Sequence, residues 1–96
     1  MTSAKQKDVL VRARNAYRIG DYENAEKLAR QLIEQDERSY AAHILLGTVY
    51  AKSNRHQLAI AEFQKARDVM PRSVEPYNNL GVMYRLTGRL SEAFFH

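Results

Sequence analysis

Residues 40–73 read YAAHILLGTVYAKSNRHQLAIAEFQKARDVMPRS. Within them His43, Leu46, Gly47, Tyr50, Ala59, Phe63, Ala66 and Pro71 fall in the order of two short amphipathic helices facing each other across a turn at Ser53 to His56. The flanking sequence repeats the pattern at a spacing of 34, in which Ala25, Ala59 and Ala93 form one series of small residues and Ala13, Gly47 and Gly81 another. Gly20, Asn54 and Gly88 carry the turn at the same interval. A fixed period of this length marks stacked helical hairpins, each too small to bury its apolar face alone.

The 96 residues limit the chain to one modest core. A hydrophobic content of 45% excludes disorder, and a charged content of 27% suits a helical protein. No apolar run approaches the roughly 20 residues of a membrane span, and Met1 to Lys7 carry charge with no apolar segment behind them. No membrane span is expected, and the location expected is cytoplasmic. Cysteine is absent, which removes disulfides, thiolate metal sites and cysteine nucleophiles together. The net charge of +4 favours anionic partners without saying which anion.

Residues 1–5 read as a polar lead-in, and a first helix is expected from Gln6 to Ile19 through Val9, Ala13, Ala16 and Tyr17. Gly20 ends it, and Asp21 can cap a second helix whose stripe is Tyr22, Ala25, Leu28, Ala29, Leu32 and Ile33. Ser39 is the expected N-cap of the third helix, and Asn54 replaces glycine where the backbone must turn left-handed. The fourth helix buries Leu58, Ala59, Phe63, Ala66, Val69 and Met70, and Pro71 stops it. Ser73 is read as the cap of a fifth helix, with Pro76 tolerated in its first turn and Tyr77, Leu80, Gly81 and Tyr84 packing. A sixth, short helix is expected from about Leu90 to His96.

These residues resemble the tetratricopeptide repeat family, whose pattern is an aromatic, Leu-Gly and Tyr in one helix, then Ala, Phe, Ala and a closing Pro in the next. Residues 40–73 match nearly all of it, with His43 where the aromatic usually sits. Residues 74–96 match through Tyr77, Leu80, Gly81, Tyr84, Gly88 and Ala93, and end before the pattern does. Residues 6–39 are degenerate, with Arg12, Ala16 and Glu37 where leucine, tyrosine and proline are usual. The fold implied is an all-α solenoid, a right-handed superhelix of about two and a half antiparallel hairpins. Small residues at Gly47, Gly81, Ala59 and Ala93 would set close helix crossings, and Tyr50, Phe63, Tyr77 and Tyr84 would fill the wider gaps. Each buried aromatic is worth on the order of 2 to 3 kcal/mol by area.

Catalytic chemistry finds no constellation. His43, His56 and His96 are scattered, and none forms the paired-histidine helix motif of a metalloprotease. His43 reads as a half-buried packing residue. Gly81 and Gly88 follow a helix, with no Gly-Lys-Ser run to cradle phosphate. Asp21, Glu23 and Glu26 sit at a helix start, where they complement the dipole. The chain is expected to be no enzyme and to carry no cofactor or metal.

The resemblance implies a concave groove lined by the first helix of each hairpin. Carried onto this sequence, it takes Lys7, Leu10, Arg14, Tyr17 and Arg18 from the first repeat and Ala41, Ile44, Thr48, Ala51 and Lys52 from the second. Glu75, Asn78, Asn79, Val82 and Arg85 come from the third. Five cations face one anion there, Glu75. The family's carboxylate clamp would need Lys and Asn at Leu10 and Arg14, Asn at Leu45, and Lys and Arg at Glu75 and Asn79, and is absent. Its asparagine ladder would need Asn at Val11, Leu45 and Asn79, and only Asn79 complies. The function expected is therefore a scaffold or adaptor that binds an acidic peptide segment of another protein, with nucleic acid not the expected partner. The alternative is self-assembly into a homo-oligomer through the C-terminal end, where Phe94 and Phe95 would lie uncovered.

Overall fold

The computed structural model describes residues 4–88. Among them every regular element is a helix: α1 (Ala4–Arg18), α2 (Tyr22–Gln35), α3 (Tyr40–Lys52), α4 (His56–Val69) and α5 (Val74–Leu86). None of these is long and apolar enough to cross a membrane. The first helix starts before the expected Gln6, so Lys5 belongs to it, and it stops at Arg18 rather than Ile19. The sixth helix, with Phe94 and Phe95, lies outside the described residues.

The turns are where the period becomes physical. Gly20, Asn54 and Gly88 all take positive φ, at 87°, 62° and 74°. After α1 the Gly20 N–H donates to Tyr17 O and the Asp21 N–H to Ala16 O, at 3.0 and 2.8 Å. After α3 the Asn54 N–H donates to Ala51 O and the Arg55 N–H to Tyr50 O, at 3.2 and 2.8 Å. This paired arrangement satisfies the carbonyls that a helix end leaves open, and it needs one left-handed residue, which asparagine tolerates best after glycine. Asp21 and Ser39 cap as expected, accepting from the backbone N–H of Asn24 and Ala42. Ser73 does not: it sits at the N-cap of α5 without a capping bond, and its hydroxyl is engaged instead by Tyr40 Oη at 2.7 Å. That bond ties the starts of α3 and α5, the first helices of successive hairpins.

Consecutive helices pack antiparallel, α1 on α2 and α3 on α4, with α2 against α3 and α4 against α5 joining the pairs. The slab measures 42 × 28 × 18 Å, and its thinnest dimension is about two helix diameters of roughly 10 Å. Ala13, Ala25, Ala29, Ala42, Ala59 and Ala66 are wholly buried along the seams. At Gly47 the approach is closer still: a Cβ built there would lie 2.6 Å from Phe63 Cε1. The Phe63 ring of α4 thus rests on the bare backbone of α3. At Gly81 a Cβ would meet nothing within 4 Å among the described residues, and the sixth helix expected to pair with α5 lies outside them.

Other expectations need correcting. Leu58 and Met70 are each 47% exposed; the buried row of α4 is Ala59, Ile60, Glu62, Phe63 and Ala66, so position 58 stands one residue off the stripe. Tyr77 is 49% exposed, and its hydroxyl donates back to Pro71 O. His43 is no half-buried packing residue. It is 3% exposed, with Nδ1 2.8 Å from Glu62 Oε1 and Nε2 2.7 Å from Glu37 O. A carbonyl oxygen can only accept, so Nε2 carries hydrogen and donates to Glu37. The bond to Glu62 needs a second hydrogen between Nδ1 and Oε1. Lys65 donates to the other carboxylate oxygen at 3.3 Å. His43 thereby ties α3 both to α4 and to the α2–α3 loop.

Two stability measurements follow from this packing. Alanine is favoured over glycine in a helix by about 1 kcal/mol, but overpacking costs about 1–3 kcal/mol, so Gly47→Ala should destabilise in urea unfolding. The loss should vanish in a Phe63→Leu background; an equal loss in both would mean that the ring does not press there. Glu62→Ala leaves the buried Nδ1 of His43 without a partner and should cost about 1–3 kcal/mol. Lys65→Ala removes only a 59% exposed partner and should cost under about 1 kcal/mol.

Candidate functional site

Helix α1 touches α3 directly, and α3 adjoins α5 through the Tyr40–Ser73 bond and a shared cleft. Two open clefts run across them. The first, about 610 Å³, is lined by Val11, Arg14, Asn15, Tyr17, Arg18, Tyr22 and Lys52. The second, about 340 Å³, is lined by Thr48, Ala51, Lys52, Phe63, Asn79, Val82, Met83 and Leu86. Lys52 borders both.

Of the groove residues named from the sequence, Arg14, Tyr17 and Arg18 meet in the first cleft, and Thr48, Asn79 and Val82 in the second, with Lys52 between. Leu10 is not with them: it lines a smaller cleft of about 220 Å³ with Asp36, Arg38 and Tyr40, among others. Lys7, Ile44, Asn78 and Arg85 line none of the three. Sequence reasoning missed Val11 and Asn15, although their spacing of three to four from Arg14 and Arg18 puts them on the same stripe. It also assigned Tyr22 wholly to packing. Tyr22 is half-buried, and its ring lies 5.7 Å from that of Tyr17, tilted at 44°.

The charge on this face is not neutralised from within. Among the described residues Arg14, Arg18, Lys52 and Arg85 have no carboxylate within ion-pair distance; Arg18 donates to the Asn15 side-chain oxygen. The carboxylates that are paired lie outside the two clefts: Asp8 with Arg12, Glu26 with Arg30 and Arg55, Glu62 with His43 and Lys65, and Asp68 with Arg67. Neither ring nitrogen of His43 is free to accept a proton from a substrate. Among the described residues no group of three or more His, Asp or Glu side chains could hold a metal ion.

A sequence model of the tetratricopeptide repeat matches residues 10–73. The chain belongs to the tetratricopeptide repeat family. Among curated proteins, mouse (Mus musculus) Superkiller complex protein 3 is 26% identical over 84 residues, which is 88% of this chain and 5% of that protein. This tetratricopeptide repeat chain thus spans a small part of the relative's length. Among solved structures, the CopN–Scc3 complex contains a chain that superposes with a TM-score of 0.90 at 20% identity, over 95% of this chain and 54% of that one. SycD, the type III secretion translocator chaperone of Yersinia enterocolitica, solved as an alternative dimer, gives 0.90 at 22% identity over 95% and 69%. At these identities the likeness establishes the fold.

Away from the clefts, the junction of the first two repeats is held by a charge cluster. Arg55 donates to Glu26 Oε1 at 2.6 Å and lies 4.7 Å from the centre of the Tyr50 ring, while Arg30 donates to the other Glu26 oxygen and to Tyr50 Oη. The hydrogen bond from Arg55, above all, holds the Glu26 carboxyl below its ordinary range, with the charge of Arg55 and Arg30 adding to it against the cost of burial. The Arg55 guanidinium is held protonated more firmly in return. A carboxyl lowered on folding stabilises at every pH above its unfolded value and loses that contribution as pH falls through the folded one. The difference in melting temperature between the native chain and Glu26→Gln should therefore be constant near neutrality. It should shrink as the solution is acidified below about pH 4.5, the ordinary value for this group. A difference independent of pH down to 2 would assign the effect to packing instead.

Proposed function

We propose that this chain is a non-enzymatic interaction module that binds an acidic segment of another protein along the face of α1, α3 and α5. In this reading residues 6–39, 40–73 and 74–96 are successive repeats. The observation that carries it is the convergence of Arg14, Arg18 and Lys52 on one cleft with no carboxylate partner, beside the Tyr17–Tyr22 pair. Unpaired guanidinium groups can grip a carboxylate through two parallel hydrogen bonds, and the rings give the stem of the same residue an apolar seat. Structural relatives that occur in a complex or serve as a chaperone are in keeping with such a role.

Magnitudes decide what else the face must do. Three or four exposed ion pairs at about 0.2–1 kcal/mol each supply at most about 4 kcal/mol, whereas a micromolar complex requires about 8 kcal/mol. Charge selects the segment and apolar contact supplies the remainder. The test is fluorescence anisotropy with a pool of labelled twelve-residue peptides rich in Asp and Glu. Arg14→Glu combined with Arg18→Glu should leave the helical circular dichroism unchanged and weaken binding at least tenfold. Binding by the native chain should fall as salt is raised. A charge-reversed variant that binds as tightly as the native chain would place recognition on another face.

A further inference from the structure

The two clefts are built from the same register positions of successive repeats. Arg14, Thr48 and Val82 are related by the repeat spacing of 34, and so are Arg18, Lys52 and Leu86. All six border the clefts. Along the stack these positions therefore run from two guanidinium groups, through a hydroxyl and an ammonium, to two aliphatic side chains. The second cleft continues that end of the series: apart from Lys52 at its border its lining has no charged group, and Val82 and Leu86 are 40% and 61% exposed. All six residues also stand in the C-terminal halves of α1, α3 and α5, so the two clefts form one continuous track along one edge of the face.

We infer that the segment bound here is bipartite, with an acidic stretch over Arg14, Arg18 and Lys52 and an adjoining large apolar side chain in the cleft bounded by Val82 and Leu86. This rests on the reading of the face as a site for acidic segments and adds which residue class must sit beside the acid, and on which side. Lys52 marks the border, its ammonium serving the acid and its aliphatic stem the apolar anchor. A competing role for the cations is to offset the negative ends of their own helices, since Arg18 and Lys52 occupy last turns. That role does not account for Arg14, which lies a turn further in, nor for the change to aliphatic side chains at the same positions of α5. A helix end alone also has no use for an anchor cleft.

Four synthetic twelve-residue peptides decide the matter by anisotropy, each made in both chain directions: an Asp/Glu block joined to a Leu/Phe block, the acidic block joined to Ser, the apolar block joined to Ser, and a Lys block joined to the apolar block. The acidic–apolar peptide should bind about 10–100-fold more tightly than the acidic–Ser peptide, the gain expected from burying one large apolar side chain. Val82→Ser with Leu86→Ser should abolish that advantage while leaving the acidic–Ser peptide unaffected. Arg14→Glu with Arg18→Glu should weaken both acidic peptides. Circular dichroism melts confirm folding, which the exposure of Val82 and Leu86 should preserve. Equal affinity of the two acidic peptides for the native chain, or an equal effect of the Val82 and Leu86 changes on both, overturns the bipartite inference and leaves the acidic reading standing. If neither acidic peptide binds, while the apolar–Ser or Lys-containing peptide does, the acidic reading falls and the inference with it.

Discussion

The contact between the Phe63 ring and the bare Cα of Gly47 fixes how closely α3 approaches α4, and the neighbouring spacings follow from it. A ring packed on backbone brings the two helices together this closely only if one of them has no side chain at that point, because a Cβ there would lie 2.6 Å from the ring. The first hairpin solves the same problem differently. The equivalent positions there are Ala13 and Ala29, both wholly buried. One methyl is added on one helix and a phenyl is removed from the other, so a close approach survives a change of both residues. The change at Ala13 and Ala29 is thus a redistribution of volume between two positions, and α1 and α2 still pack as a hairpin.

Polar ties reinforce that spacing where hydrophobic packing has no directional preference. His43 is bound on one side by Glu62 and on the other by the Glu37 carbonyl, while Tyr40 reaches Ser73 across the layer. Tyr50 sits beneath Arg55 and accepts a hydrogen bond from Arg30. The bonds from His43 to Glu62, Tyr40 to Ser73 and Arg30 to Tyr50 link elements distant in sequence, and those at His43 and Tyr50 satisfy polar groups that are buried. Among the described residues no buried side-chain nitrogen or oxygen lacks a partner. A stack stabilised this way has its helix layer set before any ligand arrives, which reduces the ordering cost of binding.

The helices and turns were largely legible because they depend on local chemistry: left-handed residues every 34 positions, a proline after α4, small residues at recurring intervals. What escaped were features that depend on a partner far along the chain. Nothing around His43 announces a carboxylate 19 residues later, and nothing around Ser73 announces Tyr40. Leu58 was misplaced because an apolar residue one step from a stripe cannot be told from one within it by periodicity alone. For the candidate site, the family register groups first-helix positions that the structure spreads over separate clefts. Lys7, Leu10, Ile44 and Asn78 belong to the first-helix positions without sharing the clefts of Arg14 and Val82, since cleft membership depends on how neighbouring helices splay. The gradient from Arg14 through Thr48 to Val82 was present in the sequence and becomes meaningful once the same positions are seen to line adjoining clefts.

If the proposed function holds, recognition occupies the C-terminal halves of α1, α3 and α5, with Tyr22 and Phe63 at the cleft walls, and leaves the outward sides of α2 and α4 uninvolved. Backbone amide chemical shifts of the isotopically labelled chain, followed as the acidic–apolar peptide is titrated in, test it without mutation. The largest changes should fall on residues 14–18, 48–52 and 82–86, in one continuous band. Changes concentrated on the outward side of α2 and α4, with that band unmoved, would contradict it.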